Sequence, residues 1–265
     1  DNLDIHDALL SLAKRMKFLQ SGFAGMDAPI LQDILKIENV HIANASSVYA
    51  IPIAHYVFSQ ILRWNKRIDH HIEYQQSKNW APIAGDGELT NKTLVILGYG
   101  GIGSQVAKLG KAFGMRVTGI RRNPQDDEHA DEVLGLDRFE ELLPLTDYLV
   151  LALPDSPQTR DIINADILEK LNTSAMIINV GRGTAINEVD LADALNNGKI
   201  AAAALDTTKI EPLDTNSSLW MAKNCFISAH DSAHSLLSLG RAFELFFQNI
   251  KNIKNSDRVI NLYSE

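Results

Sequence analysis

The chain has 265 residues, of which 45% are hydrophobic and 22% charged, as in a folded protein with one large domain or two smaller ones. A formal net charge of −8 argues against nucleic-acid binding, because neutralising phosphates requires a basic face. No stretch approaches the ~18 consecutive apolar residues that a membrane span needs. The single cysteine, Cys225, cannot form an internal disulfide. We therefore predict a packing role for it in a buried strand and a reducing, cytoplasmic location for the protein.

Two segments precede the first clear strand. Pro52–Tyr74 is rich in large apolar residues and predicts one long helix. Ser77–Thr90 contains Pro82, Gly85 and Gly87 and predicts a loop, because proline and glycine interrupt regular structure.

From residue 93 onward, short β-branched apolar runs alternate with amphipathic stretches, a pattern typical of a parallel sheet flanked by helices. The predicted strands are Thr93–Leu97, Arg116–Ile120, Tyr148–Leu153, Met176–Val180, Ala201–Asp206 and Cys225–Ser228. The predicted helices are Ile102–Phe113, Ala165–Leu171, Glu188–Asn196 and Ser235–Asn252. We predict an α/β fold with a doubly wound parallel (Rossmann) sheet over residues 52–232. Residues 1–51 and 233–265 are predicted to form a second, smaller domain.

A glycine-rich segment follows the strand at 93–97. Its G-x-G-x-x-G pattern spans Gly98, Gly100 and Gly103 and opens the helix predicted at Ile102, with Gly101 between. In such a loop the first glycine permits a tight turn, the second lets the backbone approach a pyrophosphate, and the third lets the helix pack on the strand. The helix start adds free N–H donors and a partial positive charge. Strand, loop, helix and second strand together predict dinucleotide binding.

Two arginines end the second predicted strand of this unit. Arg121 occupies the position where an NAD-binding loop usually carries an acid that binds the ribose, and Arg122 follows it. A guanidinium there pairs with the 2′-phosphate of NADP, which a carboxylate would repel. The pattern therefore favours NADP(H) over NAD(H). The alternative is an exposed basic turn with no ligand.

Three downstream segments form a recognisable series. Leu151–Arg160 resembles an LPLTPETR signature, and Ile178–Gly183 resembles an N-x-GRG motif. Leu205–Leu213, followed by Trp220 and Ser228-Ala229-His230, resembles LDVFExEPL…LW…TPH. In this order and spacing they resemble the D-isomer-specific 2-hydroxyacid dehydrogenases, and the similarity runs from about Lys17 to His230. Phosphoglycerate dehydrogenase and glyoxylate-hydroxypyruvate reductase are of this type.

The resemblance implies an enzyme that transfers a hydride from NAD(P)H to a small 2-oxoacid and yields a D-2-hydroxyacid. Arg182 would bind the carboxylate and carbonyl oxygens of the substrate, which suits its planar fork of donors. His230 would protonate the carbonyl oxygen as general acid. Glu211 would hydrogen-bond the imidazole, orient it and favour its protonated form.

The resemblance also implies the surrounding contacts. Asp206 would bind the nicotinamide amide, with Pro154 and Val180 beside the cofactor. Backbone N–H groups of Ala24 and Gly25 would bind the substrate carboxylate. The smaller domain would be a flavodoxin-like substrate lobe. The aromatic-rich helix Ala54–Tyr74, with the Trp80 arm, resembles the family's dimer contact and implies a homodimer, and the alternative is an element that only connects the domains. No metal is expected, since no histidine has a second ligand at suitable spacing. The lack of a long apolar stretch and the net negative charge argue against a membrane or nucleic-acid partner.

The sequence departs from the family at several places. The family's first strand–helix units have no counterpart before Lys17, and we expect a segment missing from the sequence rather than a true loss. His55 stands where glutamate is common, Ala229 replaces a proline, and Asp231 replaces an apolar residue. Two other hypotheses stay open, the first because some relatives of this family act as co-regulators and the second because of the short N-terminus and Asp231. The chain could be a dinucleotide-sensing co-regulator of the same fold, or an inactive relative.

Overall fold

The computed structural model describes residues 2–26, 28–84 and 87–263. The chain folds into two compact units, Asp1–Ile51 with His234–Glu265, and Pro52–Ala233. We call them the smaller unit and the larger unit. The division between Ile51 and Pro52 falls inside a continuous helix, Ser46–Asn65.

The helices and strands are numbered in chain order. The helices are α1 (Asn2–Ala13), α2 (Pro29–Leu35), α3 (Ser46–Asn65), α4 (Ile68–Gln76), α5 (Gly101–Ala112), α6 (Phe139–Leu142), α7 (Ala165–Lys170), α8 (Glu188–Asn196) and α9 (Ser238–Asn255). The strands are β1 (Phe18–Gln20), β2 (His41–Ala43), β3 (Thr93–Leu97), β4 (Arg116–Ile120), β5 (Glu132–Leu134), β6 (Tyr148–Leu151), β7 (Met176–Asn179), β8 (Ala202–Leu205) and β9 (Cys225–Ile227).

The larger unit contains a seven-stranded parallel sheet with the strand order β5-β4-β3-β6-β7-β8-β9. The chain starts at β3, moves outward to β5, then returns to pair β6 with the other side of β3. Strand order therefore reverses between β3 and β6. In doubly wound sheets, ligands bind at such a reversal, outside the carboxyl ends of the strands.

Burial on both faces explains why the central strands are uniformly apolar. Leu94, Val95, Ile96 and Leu97 of β3 are each at most 1% exposed. The strands of a parallel sheet covered by helices on both sides have no solvent face, so they lack the alternation of apolar and polar residues seen in half-exposed strands. This core makes the sheet a rigid support for the loops at its carboxyl edge.

The sequence predictions for this sheet are confirmed. The six predicted strands and the helices α5, α7 and α8 end within two residues of their predicted bounds. The last helix begins and ends three residues later than expected, at Ser238 and Asn255. Residues 77–84 and 87–90 lie outside helices and strands, as predicted, while Gly85 falls outside the described residues.

Three expectations need correction. The single helix predicted at Pro52–Tyr74 is wrong: α3 already begins at Ser46 and contains Pro52, and left-handed Arg67 (φ 55°) separates it from α4. The strand β5 was missed because it is only three residues long and starts with a charge. Cys225 lies in a half-buried strand rather than a buried one, because β9 is at the sheet edge. Burial still raises the pKa of its thiol to about 12, which agrees with a packing role.

The smaller unit contains a two-stranded parallel sheet of β1 and β2 with α1, α2 and α9. Its core includes Ala13, Leu31, Ile34 and Ile42, all at most 7% exposed. Asn249 of α9 is fully buried, and its side-chain amide donates to the Gln20 side chain and to the Ile260 carbonyl. Among the described residues, no helix is long and apolar enough to cross a membrane.

Candidate active site

Most of the predicted site residues follow the carboxyl ends of strands in the larger unit. Parallel strands present these ends at one edge, so residues far apart in sequence meet there. The residues that follow strands are Gly98 after β3, Arg121 after β4, Pro154 after β6, Val180 and Arg182 after β7, Asp206 after β8, and Ser228 and His230 after β9. Ala24 and Gly25 instead lie in the loop after β1, in the smaller unit.

The glycine loop has the backbone that a pyrophosphate site requires. Gly98 adopts φ +100°, and a Cβ there would lie 2.6 Å from the backbone of Ala152. A Cβ on Gly103 would lie 3.0 Å from the Gly98 oxygen, which shows how closely α5 packs on the loop. In the part of the chain that the structure describes, no atom lies within 4 Å of a Cβ added to Gly100 or Gly101, so the space beside them is open. Within the described residues no side chain caps α5, which begins at Gly101 with Ile102 next, so its first N–H groups can bind an anion. The loop therefore fits a dinucleotide.

A tyrosine packs behind this loop. The Tyr99 side chain is 3% exposed and lies over Gly119 of β4, where an added Cβ would lie 2.2 Å from the ring. The backbone N–H groups of Gly98 and Tyr99 both donate to the Ile120 carbonyl. Burial, reinforced by nearby Asp127, raises the pKa of Tyr99 far above its usual value of 10. Glycine at 119 therefore allows the loop to be fixed against β4.

The two arginines lie directly after β4. Arg121 is half-buried and Arg122 is exposed. Within the described part of the chain, neither guanidinium forms a hydrogen bond or ion pair with another side chain. Both can therefore bind an anionic group without first breaking a protein contact.

A buried asparagine shapes the turn that carries Arg182. The Asn179 side chain is fully buried, accepts from the Gly181 N–H at 3.1 Å and donates to the Arg182 carbonyl at 3.0 Å. Arg182 itself is half-buried and donates to the Gly181 carbonyl. A Cβ on Gly183 would lie 1.9 Å from the Thr208 carbonyl carbon, so this turn packs tightly on the loop after β8. The N-x-G-R-G sequence thus fixes the Arg182 backbone.

The predicted acid and its partner are in direct contact. His230 Nδ1 lies 2.8 Å from Glu211 Oε2, and the side chains are 46% and 39% exposed. The other carboxylate oxygen, Oε1, accepts from the Thr208 N–H at 3.1 Å. A carboxylate only accepts hydrogen bonds, so Nδ1 carries the hydrogen and Nε2 faces away from Glu211. The pair can therefore transfer a proton at Nε2.

Asp206 lies beneath the His230 loop. It is 1% exposed, and its Oδ1 accepts from the N–H groups of Asp231 and Ser232 at 3.1 and 3.2 Å. Its carbonyl accepts from the His230 N–H at 2.9 Å. His230 has φ 54°, a left-handed conformation that is uncommon for residues other than glycine. Asp206 thus holds the strained backbone of the predicted acid.

The remaining sequence candidates differ in their exposure to solvent. Pro154 is exposed, and its carbonyl accepts from the Thr159 hydroxyl, whereas Val180 is buried. His55 and Asp231 have exposed side chains. Across residues 2–26, 28–84 and 87–263, no group of three or more histidine, cysteine or acidic residues is arranged to hold a metal ion.

Sequence reasoning missed three residues that support the site. Asn179 was quoted only as part of a motif, although its side-chain bonds explain why the motif begins with asparagine. Tyr56 and Ser228 were not considered as site residues, but they are hydrogen-bonded to each other across 172 residues of sequence. No local pattern marks the Tyr56–Ser228 contact.

The sheet reversal and the glycine loop define a dinucleotide-binding α/β protein. Residues 58–232 match the family described as D-isomer specific 2-hydroxyacid dehydrogenase, NAD binding domain. This match covers more than half of the chain. The chain therefore belongs to the D-isomer specific 2-hydroxyacid dehydrogenase family and is an NAD(P)-dependent oxidoreductase.

Individual relatives agree with this family. An uncharacterised protein of Corynebacterium melassecola is 35% identical over 91% of this chain and 79% of its own length. A glyoxylate reductase of Aeropyrum pernix is 33% identical over 84% of this chain and 68% of its own. The human glyoxylate reductase/hydroxypyruvate reductase is 33% identical, with coverages of 81% and 67%.

Solved structures are also similar. A D-isomer specific 2-hydroxyacid dehydrogenase family protein from Aeromonas salmonicida has a TM-score of 0.83 and 30% identity, over 97% of this chain and 82% of that one. The NADPH-dependent glyoxylate/hydroxypyruvate reductase of Sinorhizobium meliloti, in complex with NADP and sulfate, has a TM-score of 0.81 and 25% identity, over 96% and 82%.

Proposed function

We propose that this protein reduces a small 2-oxoacid to a D-2-hydroxyacid at the expense of NAD(P)H. The observation that carries the proposal is the His230–Glu211 contact of 2.8 Å, in the same unit as an open, uncapped glycine loop. Relatives named glyoxylate reductase and hydroxypyruvate reductase support glyoxylate and hydroxypyruvate as the substrates to test first.

When bound, a reduced nicotinamide would supply the hydride that the carbonyl carbon accepts. Arg182 binds the substrate's carboxylate and carbonyl oxygens through its fork of donors. His230 gives the proton on Nε2 to the carbonyl oxygen, which becomes the hydroxyl of the product. The charge on Glu211 stabilises the imidazolium before the transfer. Solvent then returns a proton to the ring, which is 46% exposed.

Other residues are proposed to hold the two ligands. Gly98, Gly100, Gly101, Ile102 and Gly103 would hold the pyrophosphate. Asp206 would bind the nicotinamide amide, and Pro154 and Val180 would be the neighbouring cofactor-binding residues. Ala24 and Gly25 offer backbone N–H groups to the substrate carboxylate. In this proposal Pro52–Ala233 binds the cofactor, and Asp1–Ile51 with His234–Glu265 contributes to substrate binding.

We propose NADP(H) as the preferred cofactor, because Arg121 and Arg122 follow β4 without ion-pair partners among the described residues. An ion contact of ~4 Å is worth up to ~4 kcal/mol at an effective dielectric near 20, before screening. Even about 1 kcal/mol corresponds to roughly fivefold in affinity. Structures at 25% and 26% identity that contain NADP support the same choice. Replacing both arginines with serine is expected to weaken NADPH binding more than NADH binding.

We further propose a cytoplasmic homodimer. Trp80 is fully exposed, and α4 exposes Ile72 at 47%, so this region offers apolar surface for a partner subunit. Sedimentation equilibrium at micromolar concentration is expected to give the mass of two chains. A monomer at that concentration would refute the dimer.

The loss of NADPH absorbance against a panel of 2-oxoacids, with NADH in parallel, tests the proposed activity. Turnover with glyoxylate or hydroxypyruvate, faster with NADPH, is the expected result. Tight NADPH binding without turnover on any oxoacid would instead favour a dinucleotide-sensing protein. Turnover that prefers NADH would keep the reaction and refute the role of the arginines.

A further inference from the structure

A row of three side chains extends from α3 to the His230 loop within the larger unit. The Tyr56 hydroxyl lies 2.7 Å from Ser228 Oγ, which lies 2.7 Å from Asp206 Oδ1. The carboxylate only accepts, so Ser228 donates its one hydrogen to Asp206. Tyr56 must then donate to Ser228. The hydrogen bonds in this row therefore run in one direction, from Tyr56 to Asp206.

The chemistry of Tyr56 suits a permanent donor. Burial, with added repulsion from Asp206 and Asp231, raises the pKa of Tyr56 to about 12, despite the opposing effect of its bond to Ser228. The phenol therefore keeps its proton at every pH at which the protein would work.

Asp206 Oδ1 accepts from three donors at once: the Ser228 hydroxyl and the N–H groups of Asp231 and Ser232. Among the described residues, its Oδ2 accepts one longer bond, 3.3 Å from the Ser232 N–H. A side-chain donor on one oxygen fixes the rotation of the carboxylate, and this rotation sets where both backbone donors are held. The strained left-handed backbone at His230 therefore depends on the orientation of Asp206.

We propose that Tyr56 and Ser228 are positioning residues, whose hydroxyl groups fix the Asp206 carboxylate so that the His230 loop keeps the imidazole against Glu211. This inference rests on the proposed role of His230 as general acid. Neither hydroxyl touches the reacting atoms. Both act through Asp206 on the backbone at 230–232.

The direction of the row predicts a definite order of effects. Ser228→Ala removes a hydrogen bond to a charged acceptor, whereas Tyr56→Phe removes one between neutral groups and leaves Ser228 bonded to Asp206. Hydrogen bonds to charged groups are worth about twice as much, so the serine variant is expected to be the more affected. Because Tyr56 acts through Ser228, the double variant is expected to match Ser228→Ala alone.

Two measurements test the proposal. The first is the amide hydrogen exchange of Asp231 and Ser232 in the protein without substrate, and the second is kcat and KM for the oxoacid. We expect both variants to speed the amide exchange of Asp231 and Ser232. From the usual contribution of such hydrogen bonds, Ser228→Ala is expected to lower kcat about tenfold and Tyr56→Phe about threefold. KM is expected to stay within about twofold, because the variants displace the proton donor His230 and leave the residues that bind the substrate unchanged.

Two control variants separate positioning from general damage. Tyr263→Phe removes the hydroxyl of an exposed tyrosine near the end of the smaller unit that forms no side-chain hydrogen bond within the described residues, and it is expected to change neither readout. Ser228→Thr keeps the hydroxyl and is expected to restore most of the activity lost in Ser228→Ala.

The outcomes are distinguishable from failure of the proposed function. Unchanged exchange in both variants, or faster exchange with unchanged kcat in an active enzyme, would overturn the positioning role. If the losses of kcat in the two single variants multiply in the double variant, Tyr56 does not act through Ser228, and the proposed row is refuted. If the wild-type protein reduces no oxoacid, the proposed function fails, and the exchange rates alone then decide whether the hydroxyls hold the loop.

Discussion

Gly183→Ala tests how the turn that carries Arg182 is held in place. An alanine Cβ there would lie 1.9 Å from the Thr208 carbonyl carbon, 2.1 Å from its oxygen and 2.3 Å from the Lys209 nitrogen. Ordinary contact begins at 3.4 Å, so the turn or the opposing loop must move by about 1.5 Å, the difference between 3.4 and 1.9 Å. All three atoms belong to the backbone, so no side-chain rotation can make room.

The displacement gives two magnitudes. Inserting a methyl group into a packed region lowers the free energy of unfolding by about 1–3 kcal/mol. Because the obstacle here is backbone, we expect a loss near the upper end, about 3 kcal/mol. For a chain of this size, each 1 kcal/mol lowers Tm by about 2–4 °C, so the expected drop is about 6–12 °C. The opposing loop carries Glu211, whose Oε1 is bonded to the Thr208 N–H. A 1 Å misplacement can cost ~10²-fold in turnover, and a loss of that order is expected here.

Thermal unfolding followed by circular dichroism, together with steady-state turnover, measures both effects. Gly240→Ala is the matched control, because it adds the same methyl group where no atom lies within 4 Å. Since Gly240 lies in the helix α9, that variant is expected to gain about 0.5–1 kcal/mol. A Gly183→Ala protein that melts and turns over like the wild type would refute the packing argument.

Three further changes have defined outcomes. Asn179→Ala leaves the Gly181 N–H without its partner and removes one of the two donors to the Arg182 carbonyl, which keeps its bond from the Ala185 N–H. It is expected to lower the free energy of unfolding by about 1–3 kcal/mol in denaturant titrations, and an unchanged free energy would contradict this. Gly119→Ala displaces the Tyr99 ring and is expected to weaken NADPH binding, measured by fluorescence, while an unchanged Kd would separate Tyr99 from the loop. The Lys111 ammonium, and after it the Val117 N–H, hold the pKa of Asp131 below its usual value of 3.8. Ionised Asp131 therefore stabilises the folded protein fully above about pH 4, and this contribution is lost as the pH falls through the lower pKa of the folded state. Asp131→Asn is expected to melt lower than wild type at pH 7 but equally at the acid end, and a constant gap would contradict the assignment.

The parallel sheet could be predicted because its strands are buried on both faces and therefore appear in the sequence as short apolar runs. The helix prediction over Pro52–Tyr74 failed for a local reason. Arg67 adopts a left-handed conformation, which its residue type does not predict. Pro52 lies inside α3, although proline usually interrupts a helix, so the start of this helix was placed too late. The strand β5 was missed because pairing with β4, rather than its own composition, makes it a strand.

The candidate site was predictable where its chemistry depends on motifs. The contact between His230 and Glu211 was expected from the resemblance to the family, and it is present at 2.8 Å. Tyr56 and Ser228 could not be found in this way, because their contact joins α3 to the end of β9 and depends on the tertiary fold. The left-handed backbone of His230 was also unpredictable, since the bonds that hold it come from Asp206, which follows a different strand, β8.

The most direct test of the central claim is the rate of oxoacid-dependent NADPH oxidation by His230→Ala, with NADPH affinity measured on the same protein. Loss of a positioned general acid is expected to lower turnover by ~10²–10⁴ while the Kd for NADPH stays close to the wild-type value. His41→Ala, the same change at an exposed histidine of β2, is the control and is expected to turn over normally. Near wild-type turnover by His230→Ala would contradict the assignment of His230 as the acid.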